Sequence, residues 1–396
     1  MRIQLSGAIL LLLAASPALA ATGSDLRDCP NSAVPPSVRI AACTRLLNSG
    51  RYSGAAQGNH LYDRGRAYAS LNQERRAIAD YTAAIRLVPN FAYAYFNRAN
   101  SHFRLGLYKK SYDDFSQAIR LHPVDASAYK SRGNASLLLG NFRRAIADYD
   151  EAIRLYPNNG KAYLGRGAAH IGLGQYRKAL ADLNIAIRLN PRLAVAYSNR
   201  GLAHSRLEQF RAAFADFDRA IGLNPGLVNA HLNRGGANMQ LKKYRQAIAD
   251  FDKAIRLNPN FAEALVNRGL AHGALKRYRR ALADLDRAIG LRPKLSLAYN
   301  NRAMVRICLS DYREAVRDLN RAIALNPDYA AAYFNRGLVY RDFLRDRRRA
   351  ERDFRTARRL DASRGSAGVH LHGVFVECGE HGGFRRIAWR PGRLQR

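Results

Sequence analysis

FAYAYFNRANSHFRLGLYKKSYDDFSQAIRLHPV, residues 91–124, decides the fold. Apolar residues recur at helical spacing in two stretches, Phe91–Leu105 and Lys109–Leu121, with a break at Gly106 between them. Pro123 closes the second stretch, because proline lacks an amide hydrogen and disfavours the α conformation of the residue before it. The same punctuation extends outward: Pro89, Pro123, Pro157, Pro191, Pro225, Pro259, Pro293 and Pro327 follow one another at an interval of 34 residues without slippage. Each interval reads as a helical hairpin. Gly106, Gly140 and Gly174 fit the C-cap of the first helix, and Glu208, Lys242 and Lys276 take that place in later copies.

The composition agrees with a folded chain. Of 396 residues, 47% are hydrophobic and 24% charged, enough to bury a core and to exclude wholesale disorder. Four cysteines are too few for a disulfide scaffold. Residues 1–20 have the form of a secretory signal: Arg2, an apolar run from Ala8 to Ala15, then Ala18-Leu19-Ala20. That run is too short to span a bilayer, so the expectation is cleavage after Ala20, export to the periplasm or medium, and no transmembrane segment in the mature chain.

Counted from Gly58, position four is usually aromatic (Tyr95, Tyr129, Tyr163, Tyr197, Tyr299, Tyr333) and position eight is always Gly or Ala. Position 24 is large and apolar (Tyr81, Phe115, Tyr149, Leu183, Phe217, Phe251, Leu285, Leu319, Phe354), and position 27 is alanine from Ala84 to Ala357. Small residues opposite large ones let two helices interdigitate closely. This pattern resembles the tetratricopeptide (TPR) family across residues 58–362, as nine repeats. The resemblance implies an all-α, right-handed superhelical solenoid of about nine hairpins. One departure is systematic: the family's leucine at position seven is arginine in every copy.

The remaining segments divide as residues 21–57, an N-terminal half-repeat or cap, and residues 363–396, a basic tail. Residues 36–48 look like a lone second helix, with Cys43 where the large apolar residue belongs and Cys29 on the stretch opposing it. A Cys29–Cys43 bridge would staple a half-repeat that buries little surface alone; two free buried thiols are the alternative. In the tail, Val369–Glu377 alternates like a small β-hairpin, and His370, His372, Cys378 and His381 are zinc-type ligands at a spacing that matches no familiar module.

Arginine at position seven (Arg64 to Arg336) and aspartate at position 23 (Asp80 to Asp353) recur in all nine copies, which suggests that each arginine pairs with an aspartate of its own or the adjacent hairpin. Asparagine precedes that arginine at Asn97, Asn199, Asn233, Asn267, Asn301 and Asn335, with breaks at Asp63, Ser131 and Gly165. The resemblance implies that this position faces the concave surface, where an amide can both donate to and accept from the backbone of an extended peptide. The other reading is that each asparagine bonds the next repeat and sets the pitch. His102, His170, His204 and His272 share position eleven and read as packing residues, because equivalent positions about 10 Å apart cannot share a metal.

Sixty-five Lys+Arg against 31 Asp+Glu give a formal charge of +34. Part of this is periodic: Arg75, Arg76, Lys109, Lys110, Arg143, Arg144, Arg177, Lys178, Arg279 and Arg280 stand at the start of second helices and would form a basic ridge. It reads either as a solvated face or as an attractor of anionic envelope polymers, phospholipid or acidic proteins. Nucleic acid fits the charge but not an exported protein. No phosphate-binding loop, nucleophile elbow or other catalytic constellation stands outside the repeats, and Cys308 reads as a packing thiol. The expected function is therefore a non-enzymatic scaffold without cofactor or metal, holding a partner protein's segment in its inner groove, with charge-driven envelope binding as the alternative.

Overall fold

The computed structural model describes residues 21–363; the leader and the tail with its hairpin and zinc-ligand readings lie outside the described residues. All regular structure among them is α-helical. The chain divides into two compact units, Met1–Ala169 and His170–Arg396. The first holds α1 (Gly23–Asp28), α2 (Pro36–Asn48) and three hairpins: α3 (Gly54–Ser70) with α4 (Glu74–Leu87), α5 (Ala92–Arg104) with α6 (Tyr108–Leu121), and α7 (Ala126–Leu138) with α8 (Phe142–Leu155). The boundary falls inside α9 (Gly160–Gly172). The second unit begins with α10 (Tyr176–Leu189). It continues as α11 (Ala194–Arg206) with α12 (Phe210–Leu223), α13 (Val228–Gln240) with α14 (Tyr244–Leu257), and α15 (Ala262–Ala274) with α16 (Tyr278–Leu291). Then come α17 (Ser296–Cys308) with α18 (Tyr312–Leu325), and α19 (Ala330–Asp342) with α20 (Arg347–Ser363).

The ends of these helices follow from local chemistry. Gly106, Gly140 and Gly174 have φ of 73°, 75° and 71°, and Glu208, Lys242 and Lys276 occupy the same left-handed state at 60°, 57° and 58°. The amide of Gly140 donates to the Leu137 carbonyl and that of Asn141 to Ser136, which satisfies carbonyls at the helix end. At the second helix, Asn224 is pushed to an extended conformation (φ −145°, ψ 92°) by the proline after it, while its amide still reaches the Ala220 carbonyl.

Within a hairpin, the large residue at position 24 is driven into the glycine at position eight. Tyr81, Phe115, Tyr149, Phe217 and Phe251 are all but wholly buried. A Cβ at Gly235 would lie 2.6 Å from Phe251 Cε1 and one at Gly65 would lie 2.7 Å from Tyr81 Cε1, so these positions exclude any side chain. Between hairpins, successive first helices touch (α3 with α5, α5 with α7; α11 with α13, α13 with α15, α15 with α17, α17 with α19). Among the described residues no two second helices do. Each unit therefore bends with its first helices inside, and their outward-turned side chains gather on one wall.

Candidate interaction face

The recurrent arginine is fixed from two hairpins at once. Arg98 Nε and Nη2 donate to Asp114 at 2.9 and 2.7 Å, and its Nη1 donates to Thr82 of the preceding hairpin at 3.0 Å. The same fork joins Arg64 to Asp80, Arg132 to Asp148, Arg200 to Asp216, Arg234 to Asp250, Arg268 to Asp284, Arg302 to Asp318 and Arg336 to Asp353. The acceptor in the preceding hairpin is Ser116, Asp150, Asn184, Asp218, Asp252, Asp286 or Asn320 in later copies. The guanidinium also lies over the position-four tyrosine, 5.4 Å from the ring centre of Tyr95, Tyr163, Tyr197 and Tyr333. The hydrogen bonds that Arg268 donates to Asp284 and Asp252 hold it above the usual arginine range. Of the two alternatives for the position-23 aspartate, these pairs take the one within the hairpin, and the contact to the preceding hairpin goes to a residue two places beyond that hairpin's own aspartate.

Position eleven completes this rung. His102 Nδ1 lies 3.1 Å from Asp114, Asn238 donates to Asp250 at 3.1 Å, and Arg306 Nη1 donates to Asp318 at 2.7 Å. Burial pushes Asp114 up, but the bonds from His102 and Arg98 hold it below the ordinary carboxylate range. Sequence reading missed this role; the signal was that only residues able to face a carboxylate recur there. Among the described residues no group of three metal-ligating side chains converges.

The asparagines at position six precede the rung arginine on each first helix that carries them. Asn97 donates to Tyr62 at 2.9 Å, Asn233 to Ser198 at 3.4 Å and Asn335 to Asn300 at 2.9 Å, each reaching the preceding first helix. Asn301 and Asn335 are buried, and Asn301 Nδ2 has no hydrogen-bond partner. Asn97, Asn199, Asn233 and Asn267 are half-buried. The break at Gly165 has a steric cause: a Cβ there would lie 2.4 Å from Tyr149 Cζ, and the Tyr149 hydroxyl reaches past it to donate to Asn134.

Tetratricopeptide repeat models match residues 92–123, 126–159, 164–228, 228–261 and 262–295, and TPR repeat models match residues 65–106 and 309–342. The chain belongs to the tetratricopeptide repeat family. No curated protein matches it. The solved structure of a tetratricopeptide repeat protein from Parabacteroides merdae is similar at 19% identity, over 63% of this chain and 98% of that one, with a TM-score of 0.52. The APC/C hetero-tetramer Cut9–Hcn1 is similar at 17% identity, over 77% of this chain and 65% of that one, with a TM-score of 0.57. At these identities the likeness shows the fold.

Two further features of this repeat protein lie outside its inner wall. Arg75, Arg76, Lys109, Lys110, Arg143 and Arg144 in the first unit, and Arg177, Lys178, Arg279 and Arg280 in the second, are all exposed in the first turns of second helices. Cys29 and Cys43 are bridged and fully buried between the N-terminal segment and α2, with Arg39 donating to the Cys29 carbonyl. Cys308, read from sequence as a packing thiol, is instead disulfide-bonded.

Proposed function

We propose that this tetratricopeptide repeat protein is an exported, non-enzymatic scaffold of the cell envelope that holds an extended segment of a partner protein against the inner wall of its first helices. The observation that supports the reading is the contact between successive first helices of the second unit, α11 with α13 and α13 with α15, on which the amides of Asn199 and Asn267 remain half-buried. A primary amide pairs with any peptide unit, at about 1 kcal/mol net per bond, so several in series are needed for affinity. The Cys29–Cys43 bridge and the leader-like residues 1–20 support export, since such bridges persist in oxidising compartments.

The test is crosslinking of the full chain in the envelope fraction, followed by binding of the recovered partner to Asn199→Ala/Asn267→Ala. Loss of two bonds weakens binding roughly 10- to 30-fold. Unchanged affinity, or recovery only from cytoplasm, would refute the reading. A second reading, attraction of anionic envelope polymers or phospholipid, is favoured by the exposure of all ten ridge residues. Ionic strength separates the two: ridge binding collapses with added salt and amide-held binding persists.

A further inference from the structure

From α4 to α18, every second helix has the sequence to hold a successor. Position 21 is apolar or aromatic from Ile78 to Val316, and position 28 is isoleucine from Ile85 to Ile323. Position 25 accepts from the next hairpin's arginine, as Asp286 does from Arg302 and Asn320 from Arg336. Leu282 and Ile289 of α16 pack on the core that includes Ala298 of α17, and Val316 and Ile323 of α18 on the core that includes Ala332 of α19. In α20 the same three positions are Glu351, Arg355 and Arg358, which offer neither an apolar edge nor an acceptor to a further hairpin.

The last unit of a stack requires a polar outer face, and mixed charge would supply it. The outer face of α20 is arginine instead. Arg348, Arg352, Arg355 and Arg359 are all exposed, and their spacing places them within about 60° of one another in a straight row about 16 Å long. None of the four forms an ion pair among the described residues, where Asp353 is taken by Arg336 and Asp346 by Arg349. Like charges three and four places apart weaken a helix, so the row fits an anion from outside the chain. Residues 364–396 contain six arginines and two glutamates, residues 1–20 contain one arginine and no acid, and a second copy carries the same formal charge of +34. No large apolar side chain of α20 is exposed among the described residues. The row therefore lacks the apolar anchor of a protein interface and the aromatic platform that single-stranded nucleic acid stacks on. A straight row of guanidinium groups suits a flat array of phosphates, each of which can accept two hydrogen bonds from one arginine.

Resting on the second reading above and giving it a site, we propose that α20 docks the protein on an anionic phospholipid surface through Arg348, Arg352, Arg355 and Arg359. The apolar side of α20 is occupied by α19, with Phe354 and Ala357 against Phe334 and Leu338, so contact stays at the headgroups and weakens with salt. Co-sedimentation of the full chain with vesicles tests this. Binding is expected to phosphatidylglycerol mixed in equal parts with phosphatidylcholine, and not to phosphatidylcholine alone. Each arginine at such a surface contributes roughly fivefold, so Arg348→Glu/Arg352→Glu/Arg355→Glu/Arg359→Glu should weaken binding at least about 100-fold. Arg75→Glu/Arg76→Glu/Arg143→Glu/Arg144→Glu, the same charge change at exposed sites of the first unit, should weaken it less than about fivefold. Circular dichroism melting identifies any variant that fails to fold, and glutamine at the four α20 positions, with a smaller loss expected, replaces the glutamate variant in that case.

Equal losses in the two variants, or loss in the first-unit variant alone, would overturn the α20 site and leave charge-driven binding standing. Absence of binding to phosphatidylglycerol vesicles would overturn the proposal and remove phospholipid from the second reading. Tighter binding of duplex DNA than of the vesicles, lost in the α20 variant, would overturn it in favour of nucleic acid.

Discussion

Replacing Gly140 by alanine should destabilise the protein, and replacing Lys242 by glycine at the equivalent turn should stabilise it. A Cβ at Gly140 meets nothing within 4 Å, so the substitution carries no packing change and reports the backbone alone. An alanine held at φ 75° costs about 1–2 kcal/mol relative to its right-handed preference. Reduced freedom of the unfolded chain returns roughly 0.4–1 kcal/mol. The net loss is about 0.5–1 kcal/mol, and Lys242→Gly, at φ 57°, gains a similar amount. Stacked repeats contribute near-additively, so Glu208→Gly, Lys242→Gly and Lys276→Gly combined should gain about 1.5–3 kcal/mol. Gly236→Ala provides the opposite control: it lies inside α13, also meets nothing within 4 Å, and should stabilise by about 1 kcal/mol through helix propensity. Urea unfolding followed by circular dichroism reads each change as a midpoint shift at constant slope. If Gly140→Ala raised the midpoint as Gly236→Ala does, the left-handed turn would not be what closes the first helix.

Packing, charge and crosslinking give further expectations. Gly235→Ala drives a methyl into the buried ring of Phe251 and should cost about 1–3 kcal/mol, more than Gly269→Ala, whose Cβ meets Leu285 at 3.1 Å; thermal melts compare them. Asp250→Ala strips the Arg234 fork, but Arg234 keeps Asp218 and is 28% exposed, so the loss should be about 2 kcal/mol, below the 3–5 typical of a fully buried pair. A double-mutant cycle with Arg234→Ala should show positive coupling. The Arg45 hydrogen bond holds the Asp25 carboxyl at about 2, below its unfolded value. Its stabilisation of α1 against α2 is therefore complete above pH 4 and lost as pH falls toward 2, which the side-chain carbon shift of Asp25 will follow by NMR. Cys29→Ser/Cys43→Ser opens a 14-residue loop and should cost the N-terminal cap about 3 kcal/mol, seen as new protease cleavage near α2.

Much of this architecture was legible because its determinants act over a few residues. Proline stops a helix whatever surrounds it, and Glu208, Lys242 and Lys276 could be assigned to the glycine position because the interval of 34 residues placed them there. The pairing of arginine seven with aspartate 23 was legible as chemistry, since a recurrent half-buried guanidinium needs a carboxylate. What stayed hidden depends on side-chain reach in three dimensions. That Gly165 yields to the Tyr149 ring, or that His102, Asn238 and Arg306 serve one aspartate position, follows from contacts between helices. The division of the chain near Ala169 leaves no mark on the proline lattice, which runs through it unbroken.

The ninth repeat shows which of these determinants has priority. It contains one residue more than the others, so Arg336 and Asp353 are separated by 17 positions where every earlier pair is separated by 16. A slip of one residue rotates a helix by about 100° and would carry the aspartate away from its partner. The fork survives nonetheless, with Nε and Nη2 of Arg336 at 2.8 and 2.7 Å from Asp353, and Nη1 still reaches Asn320 of the preceding hairpin. The extra residue is absorbed before α20, where Arg345 takes φ 57° and α20 starts only at Arg347. The turn gives way and the rung does not. Leucine at position seven would require only apolar contact, which tolerates such slips; arginine ties each first helix to a fixed point on two second helices. A row of inner-wall side chains then keeps its register even where the loop length changes, and that is the property an extended ligand would read.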